Sequence, residues 1–558
     1  MKVAGVGCCN QFMKSLRMWG GRCMVRRNFN RFPAVVIVLL SLLSWLAGQA
    51  PAVAARPNIV VIYADDLGYG DVQCYNPDRG RIPTPQIDRL AAQGMRFTDA
   101  HASSGVCSPS RYTLLTGRYH WRTRLQAGIV GFLGKPLIPA GRLTIGGLAK
   151  QQGYRTACIG KWHLGWDWPV STDERKALQQ LAAGPPARQK SKQRLAPDSV
   201  TTDQRAMWRA IFSRPIAGGP TAVGFDSYFG TDVPNWPPYC FIRNEQTVGI
   251  PTTLLPTSDF QKNRASRQGP ALENWSLEAV LPQLRDEAVS FIAESAKHRE
   301  PFLLYLPLTS PHTPLAVNEA WRGKSGLENA CADLIMETDA VVGDVLAALD
   351  NSGVTEETLV VFTSDNGFAP YVGVNELEAR GHFPSGPLRG YKSDVWEGGH
   401  RVVFIVRHPG SVEAGSRCDQ LVHQADLLAT IAELLGASLP ADAGEDSFSL
   451  MPLLRGGGQP VRQHAVSCGM RGLPAIRDGR WKLILGRGSG GWSKGGDAAD
   501  VQLYDLAADL GERNNLAADQ PERVAAMLKA YEKLVAEGRS TPGPRQENDV
   551  KVRPHPQP

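Results

Sequence analysis

Five short, continuously apolar segments rich in β-branched residues constrain the fold of this chain more than any other feature of its sequence. In chain order they are Asn58 to Tyr63, Arg155 to Ile159, Phe302 to Leu308, Thr358 to Thr363 and Val402 to Val406. Amphipathic helical patterns separate them, at 84–93, 145–152, 282–296, 332–349 and 424–435. Strands that are apolar along their whole length are typical of a mostly parallel sheet covered by helices on both faces. The sequence therefore predicts an α/β domain built on a large, mostly parallel sheet flanked by helices.

Polar side chains follow four of the predicted strands, at the point where each strand ends. In chain order they are Asp65 and Asp66, Lys161 and His163, His312, and Asp365 and Asn366. Ligands of such sheets bind beyond the carboxyl ends of the strands, so we expect these side chains to meet there. The Asp and Asn residues offer only oxygen ligands, which suit Ca²⁺ or Mg²⁺ and not zinc. Helix N-capping by either acidic pair is the alternative that the residues leave open.

Cationic side chains accompany these carboxylates. Lys161, Lys392 and Arg111, placed near a divalent metal, would form a pocket for a tetrahedral oxyanion. His312, which has prolines on both sides, is a candidate general acid. Taken singly, each lysine is more often a surface residue, and a lone histidine is usually structural.

The N-terminal 55 residues have the features of a secretory signal. They carry seven Lys and Arg residues and no Asp or Glu. The formal net charge of the whole chain is +7, so the residues after 55 have a net charge of zero. This distribution gives no indication of nucleic-acid binding. A basic flank precedes an apolar core at 34–46 and small residues at 52–54, which predicts a cleaved signal peptide without stable membrane anchoring, and a secreted or periplasmic protein. An uncleaved membrane anchor is the alternative, and residues 1–23 are expected to precede the true start at Met24.

Composition divides the rest of the chain into three parts. Residues 56–455 are the predicted catalytic α/β domain, and residues 456–540 predict a small antiparallel sheet carrying a helix. Residues 541–558 are rich in proline and charge and predict a disordered tail. Seven cysteines follow residue 55 and none forms a CxxC pair, which gives no support to zinc-ribbon or thioredoxin-like sites.

Six ordered motifs carry a family resemblance. They are AlaAspAspLeuGly at 64–68, CysSerProSerArg at 107–111 running into LeuLeuThrGlyArg, GlyLysTrpHisLeuGly at 160–165, SerProHisThrPro at 310–314, SerAspAsnGly at 364–367 and TrpGluGlyGlyHisArg at 396–401. Together they resemble the type I sulfatases, the formylglycine-dependent and arylsulfatase-like enzymes, over residues 57–536. The resemblance implies an alkaline-phosphatase-like fold and hydrolysis of sulfate esters to inorganic sulfate and an alcohol.

The resemblance also implies a role for each matching residue. Cys107 would be oxidised by a formylglycine-generating enzyme to 3-oxoalanine, whose hydrate is the nucleophile. The implied metal ligands, usually for Ca²⁺ with Mg²⁺ possible, are Asp65, Asp66, Asp365, Asn366 and the modified Cys107. Arg111 would hold the hydrate and Lys161 would bridge it to the sulfate. His163 would be the base that releases sulfate, and His312 and Lys392 would contact the sulfate and the leaving oxygen.

Two other functions remain open from the residues. One is a phosphomonoester or phosphonate hydrolase on the same fold, and the other is a binding protein for sulfated ligands with an unmodified Cys107. For a sulfatase we expect a sulfated small molecule or glycan as substrate. The loops at 231–257 and 368–392 would recognise the leaving group, with the side chains Asp232, Asn235, Trp236 and Tyr239 at the pocket mouth.

Overall fold

The computed structural model describes residues 56–182, 200–260, 265–495 and 499–552. The predicted signal peptide lies outside these residues, as do residues 553–558. Among the described residues, no helix is both long enough and apolar enough to cross a membrane.

Eighteen strands and twelve α-helices are present in the described residues. The strands are β1 Asn58–Ala64, β2 Met95–Phe97, β3 Ala100–His101, β4 Arg155–Lys161, β5 Ser227–Thr231, β6 Ile242–Arg243, β7 Gln246–Thr247, β8 Thr253–Leu254, β9 Pro270–Ala271, β10 Phe302–Pro307, β11 Thr358–Ser364, β12 Phe404–Arg407, β13 Ser416–Cys418, β14 Val422–His423, β15 His464–Cys468, β16 Pro474–Asp478, β17 Trp481–Ile484 and β18 Gln502–Asp505. The helices are α1 Pro85–Ala92, α2 Cys107–Thr116, α3 Ile145–Gln151, α4 Thr172–Ala182, α5 Thr202–Phe212, α6 Val280–Ser295, α7 Ala330–Asn351, α8 Val374–Ala379, α9 Glu397–His400, α10 Leu427–Leu434, α11 Met451–Leu454 and α12 Pro521–Glu537.

The large sheet contains ten of the described strands, in the order β13-β2-β12-β11-β1-β10-β4-β5-β6-β7. Strand β1 lies in its middle and pairs in parallel with β10 and β11, and β10, β4 and β5 continue the parallel part. The prediction of a mostly parallel sheet is confirmed. Strand β12, predicted from the run at 402–406, pairs antiparallel with β11. An apolar run shows that both faces of a strand are buried, but it carries no information about direction.

Helices cover both faces of the sheet, as expected. Ile59 and Val61 of β1 belong to a core that includes side chains of α2, α3 and α10. Val60 and Ile62 belong to a second core formed with α1, α6 and α7. Successive side chains of a strand point to opposite faces, so β1 is buried on both sides and its carboxyl end is held in the interior.

The predicted antiparallel sheet with a helix is also confirmed. Strands β15 to β18 pair antiparallel in sequence order, and Met527, Tyr531 and Leu534 of α12 pack in the same apolar cluster as their side chains. A β-bridge between Ser104 and Cys468 joins this sheet to the segment that leads into α2.

Residues 541–552, the described part of the predicted tail, form no helix or strand but contact the α/β domain. Arg118 Nη2 lies 3.0 Å from Asp549 Oδ1, and Arg122 Nη1 donates to Asn548 Oδ1 over 3.0 Å. Val552 is buried. The composition of this segment indicated that it could not form an apolar core of its own. Two arginines of the α/β domain instead form polar contacts with it.

Candidate functional site

The carboxyl ends of the central strands bring the predicted site residues together. Asp65 follows β1, Asp365 follows β11, and Lys161 is the last residue of β4. The backbone N–H of Asp365 donates to the carbonyl of Ala64 over 3.1 Å. These side chains are fully buried. Because β1 pairs in parallel with its neighbours, residues that are distant in sequence lie close together at one edge of the sheet.

Three cations neutralise three carboxylates at this edge. Each cation pairs most closely with one carboxylate. The three pairs are Lys161 Nζ with Asp65 Oδ2 at 2.7 Å, Lys392 Nζ with Asp66 Oδ2 at 2.6 Å, and Arg111 Nη2 with Asp365 Oδ2 at 2.7 Å. Burial opposes the charge on Lys392, but Asp66 outweighs it and raises the pKa of the lysine well above its ordinary value. Burial would raise the pKa of Asp66, but Lys392 and then His312 hold it below its ordinary value. Both shifts favour the charged forms of the buried Lys392–Asp66 pair.

The acidic cluster fits a divalent cation. Asp65 Oδ1 and Asn366 Oδ1 are buried and accept no hydrogen bond from the part of the chain that the structure describes. Asn366 donates its Nδ2 to Asp66 Oδ1 over 2.8 Å, so its carbonyl oxygen is the atom left without a donor. A hard cation such as Ca²⁺ or Mg²⁺ takes such oxygens as ligands. The residues present therefore fit the metal that the resemblance implies.

A second cluster of metal-type donors does not fit an ion. Nitrogens of His101 and His400 and a carboxylate oxygen of Glu397 lie within 4.8 Å of one another. Lys482 Nζ lies 3.0 Å from Glu397 Oε1 and 3.3 Å from His400 Nε2, and Arg477 Nη1 lies 3.2 Å from His101 Nε2. The donor atoms of this cluster therefore already have the basic groups of Lys482 and Arg477 as partners.

Cys107 is the first residue of α2 and lies at the centre of the site. It is 2% exposed, and its Sγ lies 3.2 Å from His163 Nδ1. Burial raises the pKa of the Cys107 thiol, although Lys161 and Lys392 act in the opposite direction. Reactive cysteines instead have a lowered pKa, so the environment does not favour a thiolate nucleophile. The seven described cysteines, including Cys107, are free thiols.

The two histidines differ in the nitrogen that faces the site. His163 Nε2 lies 3.1 Å from the carbonyl of Val130, so Nε2 carries the hydrogen and the Nδ1 lone pair faces residue 107. His312 Nδ1 lies 2.6 Å from the carbonyl of Thr313, so Nδ1 donates there and Nε2 faces Asp66 Oδ2 at 3.6 Å. Burial lowers the pKa of His163 well below its ordinary value, with Lys161 as the next cause. His163 also has a φ of 53°, a costly conformation for a residue other than glycine.

A cavity of about 680 Å³ opens above this cluster. It is lined by Cys107, His163, His312 and Lys392 together with side chains of four loops, among them Asn235, Trp236, Tyr371, Met470 and Trp492. The loops predicted to recognise the leaving group therefore contribute, through Asn235 and Trp236 and through Tyr371. A larger cavity of about 1050 Å³ near Arg480 and α12 contains none of the predicted site residues.

Two side chains expected at the pocket mouth lie elsewhere. Asp232 Oδ1 accepts a hydrogen bond of 3.2 Å from Trp166 Nε1, and neither Asp232 nor Tyr239 is among the lining residues. Tyr239 is 1% exposed and donates its hydroxyl to the carbonyl of Asn235. A polar and aromatic loop composition does not show which side chains support the loop and which face the ligand. Sequence reasoning missed Met470 and Trp492, and the signal for Trp492 is its isolation in a run of glycine and serine.

Comparisons with known proteins agree with the motifs. The sulfatase family profile matches residues 57–437. An N-acetylgalactosamine-6-O-sulfatase of Bacteroides thetaiotaomicron is 32% identical over 506 residues, covering 86% of this chain and 93% of that protein. Human arylsulfatase A is 31% identical over 520 residues, covering 88% and 89% of the two chains. A solved structure from B. thetaiotaomicron, described within the metabolism of multiple glycosaminoglycans, aligns with a TM-score of 0.71 at 29% identity and covers 86% of this chain and 99% of its own. The chain belongs to the sulfatase family, whose members hydrolyse sulfate esters.

Proposed function

We propose that this sulfatase releases inorganic sulfate from sulfated carbohydrates, with residue 107 in its oxidised 3-oxoalanine form. The observation that carries the proposal is the buried contact of 3.2 Å between Cys107 Sγ and the unprotonated Nδ1 of His163, within a cluster of three cations. The thiol at this position has a raised pKa and is a poor nucleophile, whereas the hydrate of an aldehyde has two hydroxyl groups, one to take the sulfuryl group and one to expel it.

The proposed metal ligands are Asp65, Asp66, Asp365, Asn366 and the modified residue 107. When bound, a divalent cation, Ca²⁺ by family resemblance, supplies positive charge that activates the hydroxyl and stabilises the sulfuryl oxygens. Three cationic and three anionic side chains balance before the metal binds, so the loaded site has a net positive charge. This charge favours an anionic sulfate monoester over a neutral ester.

Three residues act on the oxygen atoms of residue 107. The lone pair of His163 Nδ1 accepts the proton whose loss expels sulfate, and the Val130 carbonyl keeps the imidazole in the required tautomer. Arg111 is held by Asp365 and by the carbonyl of Lys161, and it positions the hydrate. Lys161 Nζ, which is fully buried, would bridge the hydrate to the sulfate.

Lys392 and His312 act on the other side of the sulfate. Lys392 lines the cavity and would bind a sulfate oxygen, and His312 Nε2 would give a proton to the leaving alcohol oxygen. Burial, followed by Lys392, lowers the pKa of His312 well below its ordinary value. A sulfate ester bound beside Nε2 adds a negative charge that favours the protonated imidazole, so substrate binding prepares this acid.

A carbohydrate leaving group is supported by the comparisons and by the cavity walls. The bacterial relative named for N-acetylgalactosamine-6-O-sulfatase activity covers most of this chain. Trp236 lies 5.6 Å from His163 between ring centroids, and Asn235 lines the same wall. An aromatic face and an amide beside the reactive centre suit the apolar face and the hydroxyl groups of a sugar.

Mass spectrometry and a paired assay test the proposal. The tryptic fragment Phe97 to Arg111 should contain the aldehyde or its hydrate at residue 107, and Cys107→Ala should abolish sulfate release from N-acetylgalactosamine 6-sulfate. Cys240→Ala removes another buried thiol outside the site and should retain activity. An active preparation with an intact thiol at residue 107 refutes the aldehyde mechanism. Faster turnover of the matching phosphate ester favours a phosphohydrolase.

We also propose that residues 1–55 direct export and are then removed. The support is the basic flank and apolar core of this segment. N-terminal sequencing of the exported protein should begin close to Arg56, and retention of residues 34–46 would contradict the proposal. Expression with and without a formylglycine-generating enzyme tests the maturation partner, because activity should appear only with it.

A further inference from the structure

A glycine-rich loop of the C-terminal sheet reaches the active-site cavity. This loop, residues 486–495, follows β17 and has the sequence GlyArgGlySerGlyGlyTrpSerLysGly. Trp492 is its one aromatic residue and lines the cavity together with Cys107. A glycine and serine loop has no core of its own for a tryptophan to join, so the position of Trp492 requires another explanation.

Hydrogen bonds fix this loop to the segment that contains Lys392. The Trp492 N–H donates to Ser393 Oγ over 2.8 Å, and the Ser493 N–H donates to Asp394 Oδ1 over 3.2 Å. A Cβ at Gly491 would lie 2.4 Å from the carbonyl oxygen of Ser393, so the two backbones approach too closely for any side chain. Trp492 is therefore held at a fixed position relative to the cationic end of Lys392.

Trp492 and Tyr371 are exposed and adjacent at the mouth of the cavity. Their exposures are 42% and 46%, and their ring centroids are 5.7 Å apart with an angle of 60° between the ring planes. Among the described residues, the other large apolar side chains of similar exposure are Val248 and Ile250, and neither lines the cavity. Exposed aromatic surface in this position, with rings held by backbone contacts, is typical of a ligand-binding wall.

We propose that Trp492 and Tyr371 bind the sugar ring that bears the sulfate ester. The two rings line the same cavity as Lys392, and Trp236 lines it as well. With sulfate bound at Lys392, the sugar carbons next to the ester oxygen would lie in this cavity. The C–H face of a pyranose then packs on Trp492, which makes the C-terminal loop a determinant of substrate specificity. This inference rests on the proposed carbohydrate sulfatase activity.

Kinetics with N-acetylgalactosamine 6-sulfate test the inference. Trp492→Ala should raise KM about tenfold with kcat within about twofold, because a single aromatic contact of this kind contributes on that order. Trp492→Phe should restore most of the affinity. Lys529→Ala, which removes an exposed side chain of α12 that does not line the cavity, should leave both constants unchanged. The inhibition constant of inorganic sulfate should be the same in all variants, because none of them changes the cationic side chains that would bind sulfate.

Each alternative outcome has a separate meaning. Unchanged KM in Trp492→Ala, with the wild type active on the sugar, overturns the inference and leaves the proposed function standing. Equal weakening of inorganic sulfate inhibition and of KM overturns it as well, because the loop would then act only by supporting Lys392. A wild type that hydrolyses 4-nitrophenyl sulfate but not the sulfated sugar refutes the carbohydrate substrate and the inference with it.

Discussion

Replacing Lys392 with methionine tests the metal site without reference to turnover. Lys392 and Asp66 are both buried and their charged atoms are 2.6 Å apart. Removing one member of a buried ion pair costs about 3–5 kcal/mol, because the remaining charge is left uncompensated. With an unfolding entropy of about 2.1 cal/mol/K per residue over roughly 500 residues, this cost lowers the melting temperature by about 3–5 °C in the presence of a chelator.

Calcium should restore more of the stability of Lys392→Met than it adds to the wild type. An ion at Asp66 supplies the charge that the lysine supplied, and the variant has one fewer cation to repel it. If the variant binds calcium about tenfold more tightly, its calcium-dependent stabilisation exceeds that of the wild type by about 1.4 kcal/mol at saturating calcium. The assay is thermal unfolding followed by fluorescence, in chelator and across a calcium titration.

Lys482→Met is the matched control for this experiment. Lys482 is also fully buried, and its Nζ lies 3.0 Å from Glu397 Oε1 and 2.8 Å from Glu512 Oε1. Its removal should cost a similar amount of stability, but calcium should stabilise this variant no more than it stabilises the wild type. Equal calcium responses of the Lys392 and Lys482 variants would refute the assignment of Asp66 as a metal ligand.

Three further predictions concern the base, the backbone and a buried carboxyl. His163→Ala should lower kcat about 10²- to 10⁴-fold in sulfate-release assays, since it removes the proposed proton acceptor, and wild-type kcat would contradict that role. In Gly105→Ala the new Cβ would lie 2.7 Å from the carbonyl oxygen of Asp394, so the segment after Lys392 must shift. Sulfate-release activity should therefore fall about 10²-fold. Gly458→Ala is the control and should stay active, because no atom lies within 4 Å of its new Cβ. Burial raises the pKa of Asp232 to about 6, so the wild type loses about 2–3 kcal/mol relative to Asp232→Asn as the pH rises from 4 through 6. Urea unfolding at pH 4 and pH 7.5 measures this difference, and a constant difference between the two proteins would contradict it.

The strand ends show what the sequence could predict. An apolar run followed by Asp65 and Asp66, and another followed by Asp365, locate the site because parallel strands end at the same edge. Lys392 was a candidate cation in the sequence, but its place beside Asp66 was not predictable, since it lies on no strand and reaches Asp66 through a loop. The direction of β12 was not predictable, because it depends on the connection that precedes it and not on its own apolar residues.

Contacts between distant segments account for the remaining differences. Trp492 reaches the cavity through hydrogen bonds of its loop to Ser393 and Asp394, and no local pattern encodes that pairing. The contacts of residues 541–552 with the α/β domain were not predictable for a similar reason. Proline and charge make a segment unable to fold alone, but Arg118 and Arg122 give it fixed partners.

The partners of Arg118 and Arg122 lie in the last part of the chain to be synthesised. Arg118 and Arg122 follow helix α2, which begins at Cys107, and both are fully buried under contacts with residues 547–549. A ribosome completes those partners about 440 residues after it has made the cysteine. Until residues 547–549 have been synthesised, Arg118 and Arg122 lack these partners. In the finished protein Cys107 is 2% exposed. If Cys107 is modified as we propose, its burial in the finished protein leads us to expect that the modification takes place before folding is complete.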